Sequence, residues 1–274
     1  MTEGTHVSVL IPVLNEKQNI ARLITLFDEL FGSAVHSSSQ KKETLHPRDN
    51  INLSLIFVDD GSEDGTCEII AEMANSMNLD IHLLSRGKQR GGNARGSALL
   101  EGLKFAVYNL DSDLIVEMDG DLSHRPEELS DHLDFHLSNK NVVLISSKFE
   151  SGSETVQRPI GRVLISFFAT KLMKLIIDRR ISDWTNGYRS YTKECADIIL
   201  QTDNLRKSPL FLTETLSIWL AQGVKVSSIK SLYVGRGEGE SKLGVTDLLK
   251  GFVGVCGIAL RYRRGLYTST KRDW

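Results

Sequence analysis

A chain of 274 residues, 41% hydrophobic and 25% charged, is long enough for one large α/β unit or two small ones, and either can bury a full core. The 33 Lys and Arg nearly balance the 35 Asp and Glu, for a net charge of −2, which argues against a broad nucleic-acid surface. Cys67, Cys195 and Cys256 show neither metal nor redox spacing and read as reduced thiols, so neither zinc nor a disulfide framework is expected.

The first apolar run, "VSVLIPV" (7–13), follows no basic-then-apolar leader, so secretion is not expected. It is followed by "NIARLITLFDELF" (19–31), whose Ile20, Leu23, Ile24, Phe27, Leu30 and Phe31 recur at helical period. The segment 32–52 is polar and aperiodic and reads as a surface insertion. Strand-like runs then alternate with helical patterns: 53–58 with 66–77, 81–84 with 94–108, and 114–118 with 126–138. The last of these helices opens on Pro126, Glu127 and Glu128; a further run, "VVLIS", covers 142–146. Strands apolar on both faces, alternating with helices, imply a covered parallel sheet. Beyond about residue 150 helices dominate, as a second half packed on the first.

Segments 160–177 and 246–262 are amphipathic. In the first, Ile160, Leu164, Phe167, Phe168, Leu172, Leu175 and Ile176 fall near one stripe, with Lys171 and Lys174 interrupting. Both segments fit an interfacial helix and equally a helix packed on the core. Neither approaches the roughly 20 apolar residues of a membrane span.

In open parallel sheets ligands bind beyond the carboxyl ends of the strands. Here those ends carry Asn15-Glu16, Asp59-Asp60-Gly61-Ser62, Arg86-Gly87-Lys88, Asp119-Gly120-Asp121 and Ser147-Lys148. The acidic pairs suit a hard divalent cation such as Mg²⁺ or Mn²⁺, which completes its shell with water and phosphate. Asp119 and Asp121, at i and i+2, would face one ligand if the segment is extended, with Gly120 allowing close backbone approach. The alternative is a solvated turn. The segment "SRGKQRGGNARG" (85–96) lacks both the Walker ending and a Gly-x-Gly-x-x-Gly placement, and fits a basic loop as well as a phosphate contact. His124 reads as a loop or capping residue rather than a ligand.

Taken together, "VSVLIPVLNEKQNI", "FVDDGSEDGT", "MDGDLSHRPEEL" and "SDWTNGYRSYTKE" resemble the signature of inverting family 2 glycosyltransferases. With "GESKLG" (239–244) and Arg236 before it, the resemblance narrows to dolichyl- or polyprenyl-phosphate mannosyltransferases and covers roughly residues 6 to 254. It implies a GT-A fold, an α/β single catalytic domain over 1–245 with a mainly parallel sheet, followed by a C-terminal helix and tail over 246–274.

The resemblance also implies roles. Pro12, Leu14, Glu16, Val58, Asp59 and Asp60 fall where the nucleotide's base and ribose are held. Asp119, Gly120 and Asp121 fall at the metal and diphosphate motif. Lys148, Arg162 and Ser166 match the acceptor-phosphate positions, with a plain surface cation the alternative for Arg162. Arg236 and Lys242 would close over the donor. Asp183 and Arg189 either shape the sugar pocket, the favoured reading, or pair with each other.

The implied partners are GDP-mannose, a polyprenyl or dolichyl phosphate and a membrane surface on its cytosolic side, with a membrane-anchoring subunit left open and no nucleic acid. Leu14 and Lys148 stand where the family has tyrosine and arginine, and Leu212 precedes Glu214 where it has glutamine. These departures keep a UDP-sugar donor or another acceptor open. A nucleotidyltransferase lacks its glycine-rich first loop here, and a non-catalytic subunit would not retain these acidic and basic residues.

Overall fold

The computed structural model describes residues 4–32, 51–87, 95–140, 142–156, 160–203, 205, 210–235 and 245–268, with backbone alone for 160–165 and 245–250. A seven-stranded sheet in the order β3-β2-β1-β4-β7-β5-β8 runs through both halves. Its strands are β1 (Thr5–Val13), β2 (Ile51–Asp59), β3 (Asp80–Ser85), β4 (Leu114–Glu117), β5 (Val142–Ser147), β7 (Arg189–Thr192) and β8 (Lys225–Lys230). A separate parallel ribbon pairs β6 (Glu154–Val156) with β9 (Leu232–Val234).

Alternation along the inner strands decides which helices lie on which face. Val7, Val9, Ile11 and Val13 of β1 point into one core with Ile20, Leu23, Ile24 and Phe27 of α1 (Lys17–Phe27), Ile70 of α2 (Thr66–Ser76), and Leu129 and Leu133 of α4 (Leu129–Ser138). Leu10, Ile56, Val58, Ile115, Val143 and Ile145 point into the other. That second core is built from α3 (Arg95–Tyr108), α5 (Ile160–Ile176), α6 (Lys193–Leu200), α7 (Phe211–Ala221) and α8 (Val245–Arg263). With both faces covered, β1, β2, β4 and β5 read as continuous apolar runs. The edge strands β3 and β8 are only partly buried, and lysines at both ends of β8 discourage further pairing.

Three expectations change. The second half is more than a helical layer: β7 inserts antiparallel between β4 and β5, and β8 extends the sheet in parallel beyond β5. The first helix ends at Phe27, and a π-helical turn over Asp28–Gly32 rotates the apolar face so that Leu30 is exposed. The expected insertion also ends earlier, because Ile51 and Asn52 already pair with β1; residues 33–50 lie outside the described residues.

Both amphipathic segments pack one face on the core and leave apolar side chains on the other face exposed. On α5, Met173 is fully buried and Leu172 and Ile176 pack on the core, while Phe168 and Leu175, two turns apart, face outward. On α8, Val255, Ile258 and Ala259 are buried, and Phe252, Val253 and Leu260 are exposed. Glu214, fully buried on α7, accepts from Arg261 (2.8 Å) and Tyr267 (2.9 Å) and ties α8 to the core. Among the described residues no helix is long and apolar enough to cross a membrane.

Candidate active site

β1, β2, β3, β4 and β5 all run the same way, so their carboxyl ends gather at one sheet edge. Because β7 runs against them, its first residue arrives at that edge: Arg189 pairs with both Glu117 and Ile145. This reversal delivers the segment 183–188 to the ends of β4 and β5. No local pattern in the sequence reveals it.

The loops after β1 and β2 brace each other. Asn15 adopts a left-handed conformation (φ 56°); its N–H donates to Ser62 Oγ (2.8 Å) and its Oδ1 accepts from the Glu63 N–H (2.9 Å). Glu16 N–H donates to Thr66 Oγ1 (2.9 Å). Leu14 stands 41% exposed on this rim, and Pro12 and Glu16 are partly exposed. Asp59 is buried and accepts from the N–H groups of Gly61 and Ser62, so it shapes the loop rather than facing the opening. Asp60 is held by Arg86 (2.5 Å). Burial raises the Asp60 carboxyl pKa, and the Arg86 charge offsets that only in part. Val58 lies within the core, its side chain against Gly102, and supports the site from below.

Beyond β4 the chain turns at Gly120 and Asp121, so the extended alternation that would aim both carboxylates alike does not apply. Asp119 Oδ1 faces Arg95 Nη2 at 2.6 Å, and Asp121 Oδ1 accepts from the Ser123 N–H (3.1 Å). A Cβ on Gly120 would press on Val13 at 3.0 Å and Ile11 at 3.3 Å, so the turn closes tightly on β1. Leu122 takes up a left-handed φ of 59°.

His124 holds this turn from behind, as the capping reading expects. Its Nδ1 accepts from the Asp119 N–H (3.0 Å), which leaves Nε2–H to donate to Asn186 Oδ1 (3.0 Å). Burial lowers the His124 pKa against the pull of Asp119 and Asp121, so the ring is neutral.

At the end of β5, Lys148 is buried in an ion pair with Asp183 (3.0 Å), its ammonium 5.4 Å from the Tyr233 ring centre. Burial alone would raise the Asp183 carboxyl, but Lys148 and the Thr185 N–H outweigh it and hold the pKa below its usual value. Asp183 and Arg189 therefore do not pair. Arg189 is fully buried and spends its guanidinium on the carbonyls of Asn186 (2.8 Å) and Leu212 (2.5 Å). Ser166 is buried on α5; Arg162 lies on the same helix where only backbone is described. Lys88, Arg236 and Lys242 lie outside the described residues.

The site thus brings together Pro12, Leu14, Glu16, Asp60, Asp119, Asp121 and Lys148 at one edge. Arg86, a strand-end residue, and His124, a capping one, join them, as do Arg95, Asn186 and Tyr233, which only the tertiary contacts single out. The two carboxylates after β4 are hard oxygen donors, and among the described residues no group of three or more His, Cys, Asp or Glu gathers around a metal position. Such a set fits a Mg²⁺ or Mn²⁺ ion that takes its remaining ligands from water and phosphate, and does not fit a closed structural metal centre.

The model of glycosyl transferase family 2 matches residues 8–198. The chain belongs to this family. Those residues hold every strand end described above, from β1 to the start of β7. The polyprenol monophosphomannose synthase of Mycolicibacterium smegmatis is 27% identical over 255 residues, 93% of this chain and 87% of that protein. The dolichol-phosphate mannosyltransferase of Pyrococcus furiosus is 26% identical over 240 residues, 86% of this chain but 59% of that longer protein. Among solved structures, glucosyl-3-phosphoglycerate synthase from Mycobacterium tuberculosis, in complex with Mn²⁺, UDP-glucose and phosphoglyceric acid, superposes with a TM-score of 0.63 at 15% identity. That match covers 93% of this chain and 80% of the mycobacterial one. The likeness shows the GT-A fold for this glycosyltransferase.

Proposed function

We propose that this glycosyltransferase moves mannose from GDP-mannose to a polyprenyl or dolichyl phosphate, with inversion at the anomeric carbon. The observation that carries the proposal is the similarity over 93% of the chain to a relative named polyprenol monophosphomannose synthase, of which it spans 87%. The catalytic unit is residues 1–245, and 246–274 form a C-terminal helix and tail.

Pro12, Leu14, Glu16 and Asp60 line the place for base and ribose, with Val58 and Asp59 shaping it from within. Asp119 and Asp121 would hold a divalent cation, Mg²⁺ or Mn²⁺, which would supply Lewis-acid stabilisation of the leaving diphosphate. Gly120 lets the turn that carries both carboxylates close on β1, where a Cβ would press on Val13 and Ile11. Arg236 and Lys242, outside the described residues, would add positive charge toward the donor.

The acceptor is a phosphate monoester, already an anion at neutral pH. No side chain need remove a proton, and the protein's task is positioning and charge. Lys148, Arg162 and Ser166 orient that phosphate. Asp183 fixes the Lys148 ammonium at the end of β5, which compensates in part for the two-pronged grip that an arginine there would have.

The lipid tail calls for a membrane surface. The outward residues of α5 and α8, Phe168, Leu175, Phe252, Val253 and Leu260, supply apolar area, with Lys171 and Lys174 for headgroups. Docking there on the cytosolic face, with or without an anchoring subunit, would present the site to the lipid phosphate.

The test is a donor panel. Purified protein, Mn²⁺ or Mg²⁺ and a short polyprenyl phosphate receive radiolabelled GDP-mannose, UDP-glucose or UDP-GlcNAc, and label entering the organic phase is counted. Transfer from GDP-mannose alone, abolished by EDTA, is the expected result. Transfer from a UDP-sugar would overturn mannose, a result that an aliphatic Leu14 on the base rim would then explain.

A further inference from the structure

Arg95, the first residue of α3, reaches across to the loop after β4 and places Nη2 2.6 Å from Asp119 Oδ1. The pair is not sealed: the two side chains keep 27% and 22% of their surface exposed. The guanidinium lies directly on the backbone of Gly187, where any Cβ would collide with Nη2. Nε and Nη2 are both buried without a well-directed hydrogen bond among the described residues, so charge, from Asp119 and from the nearby Glu117, holds the side chain in place. A cation is thus seated, lightly, on the first carboxylate of the motif.

We infer that Arg95 makes metal binding conditional on the sugar nucleotide, acting as the counter-ion of Asp119 until a diphosphate arrives. The inference rests on the cation role proposed above for Asp119 and Asp121. Counting charges shows why. Two carboxylates and one guanidinium sum to −1; Asp183 balances the Lys148 charge, and Arg189 answers the buried Glu117 that also interacts with Arg95 and Asp119. A dication added alone reverses the sign of the site and sits beside Arg95 on a shared carboxylate. A diphosphate brings at least two further negative charges and gives the guanidinium a second anion to face. At about 5 Å, a dication and a guanidinium repel enough to change affinity about tenfold even at the dielectric constant of water. By linkage, the factor by which the diphosphate strengthens metal binding equals the factor by which metal strengthens diphosphate binding.

The experiment is a Mn²⁺ titration read by the electron paramagnetic resonance of the free ion, with and without GDP. It compares the wild type with Arg95→Leu, Gly187→Ala and Asp119→Asn. Arg95→Leu should bind Mn²⁺ at least about tenfold more tightly without nucleotide, and the gain in affinity on adding GDP should shrink by the same factor. Gly187→Ala keeps the charge but pushes the guanidinium off its seat, and should shift Mn²⁺ affinity in the same direction by less. An increase in affinity is a result that structural damage does not produce. If both variants stay within about twofold of wild type, while Asp119→Asn abolishes binding, the role given to Arg95 is overturned and the cation site stands. Mn²⁺ binding that survives Asp119→Asn would overturn the cation site itself, and this inference with it.

Discussion

Asp121 and Asp183 carry different obligations, although both are buried carboxylates beside the same opening. Asp121 belongs to the proposed diphosphate end, and Asp121→Ala should lower mannosyl transfer by at least about 10²-fold, the scale of losing a main electrostatic stabiliser. Near-normal transfer in that variant would remove the assignment. Asp183 instead neutralises a lysine whose side chain is only 3% exposed. Asp183→Asn strands the Lys148 ammonium and should cost about 3–5 kcal/mol in urea unfolding, with part of the loss recovered in the Lys148→Met double variant. The pH dependence has a definite sign. The Asp183 pKa lies below its ordinary 3.8 in the folded state, so its contribution is complete above 3.8 and fades as pH falls through the lower folded value. The carboxylates after β2 and β4 and Lys148 were legible as candidates from their strand-end positions. Arg95 was not, because its use depends on Gly187, 92 residues away along the chain and brought close only by the reversal of β7.

The helices α5 and α8 show how an element can satisfy two demands. Each buries one face in the core and leaves a second apolar face outside, which their helical period alone could not apportion. If the outer face meets lipid, Phe168→Ser together with Phe252→Ser should weaken co-sedimentation with anionic vesicles by about tenfold or more, since each phenylalanine contributes roughly 1.5–3 kcal/mol of burial. Thermal stability should change little, because both side chains are more than half exposed. Unchanged vesicle binding would place the membrane contact elsewhere. Strands are legible in the sequence where apolar runs lie between helical patterns. β7 and β8, "RSYT" and "KVSSIK", are not, because their polar composition makes sense only next to β5 and α4.

Across the whole molecule, a buried polar network joins α4 to the sheet. His132 lies between Ser190 Oγ (2.6 Å) and Ser146 Oγ (2.8 Å) and stacks on Tyr188 at 4.7 Å; His136 reaches the same Ser190 (2.8 Å). Glu128 closes the other end on Ser231 and the Leu232 N–H. Burial pushes the His132 pKa down to about 3 and that of His136 to about 4, from 6.5. Below pH 6.5 the unfolded chain therefore binds protons that the folded one refuses. Stability should fall with decreasing pH from about 6.5, by up to about 1.4 kcal/mol per pH unit for each histidine, until the folded values are reached. Urea midpoints measured from pH 7 to 5 check this; a flat profile would contradict the buried neutral state.

Local chemistry along the chain determined the α/β class, the positions of most strand ends and the acidic motif after β4. Apolar periodicity and turn residues are properties of neighbours in sequence, so one sequence suffices to read them. Tertiary structure alone decided that β7 runs backwards into the sheet, that Lys148 answers to Asp183 rather than standing ready as a bare cation, and that Arg95 sits on Asp119. Each of these is a contact between charges or backbones far apart in the chain, fixed by which strands pair and in which direction, and no local pattern encodes that choice.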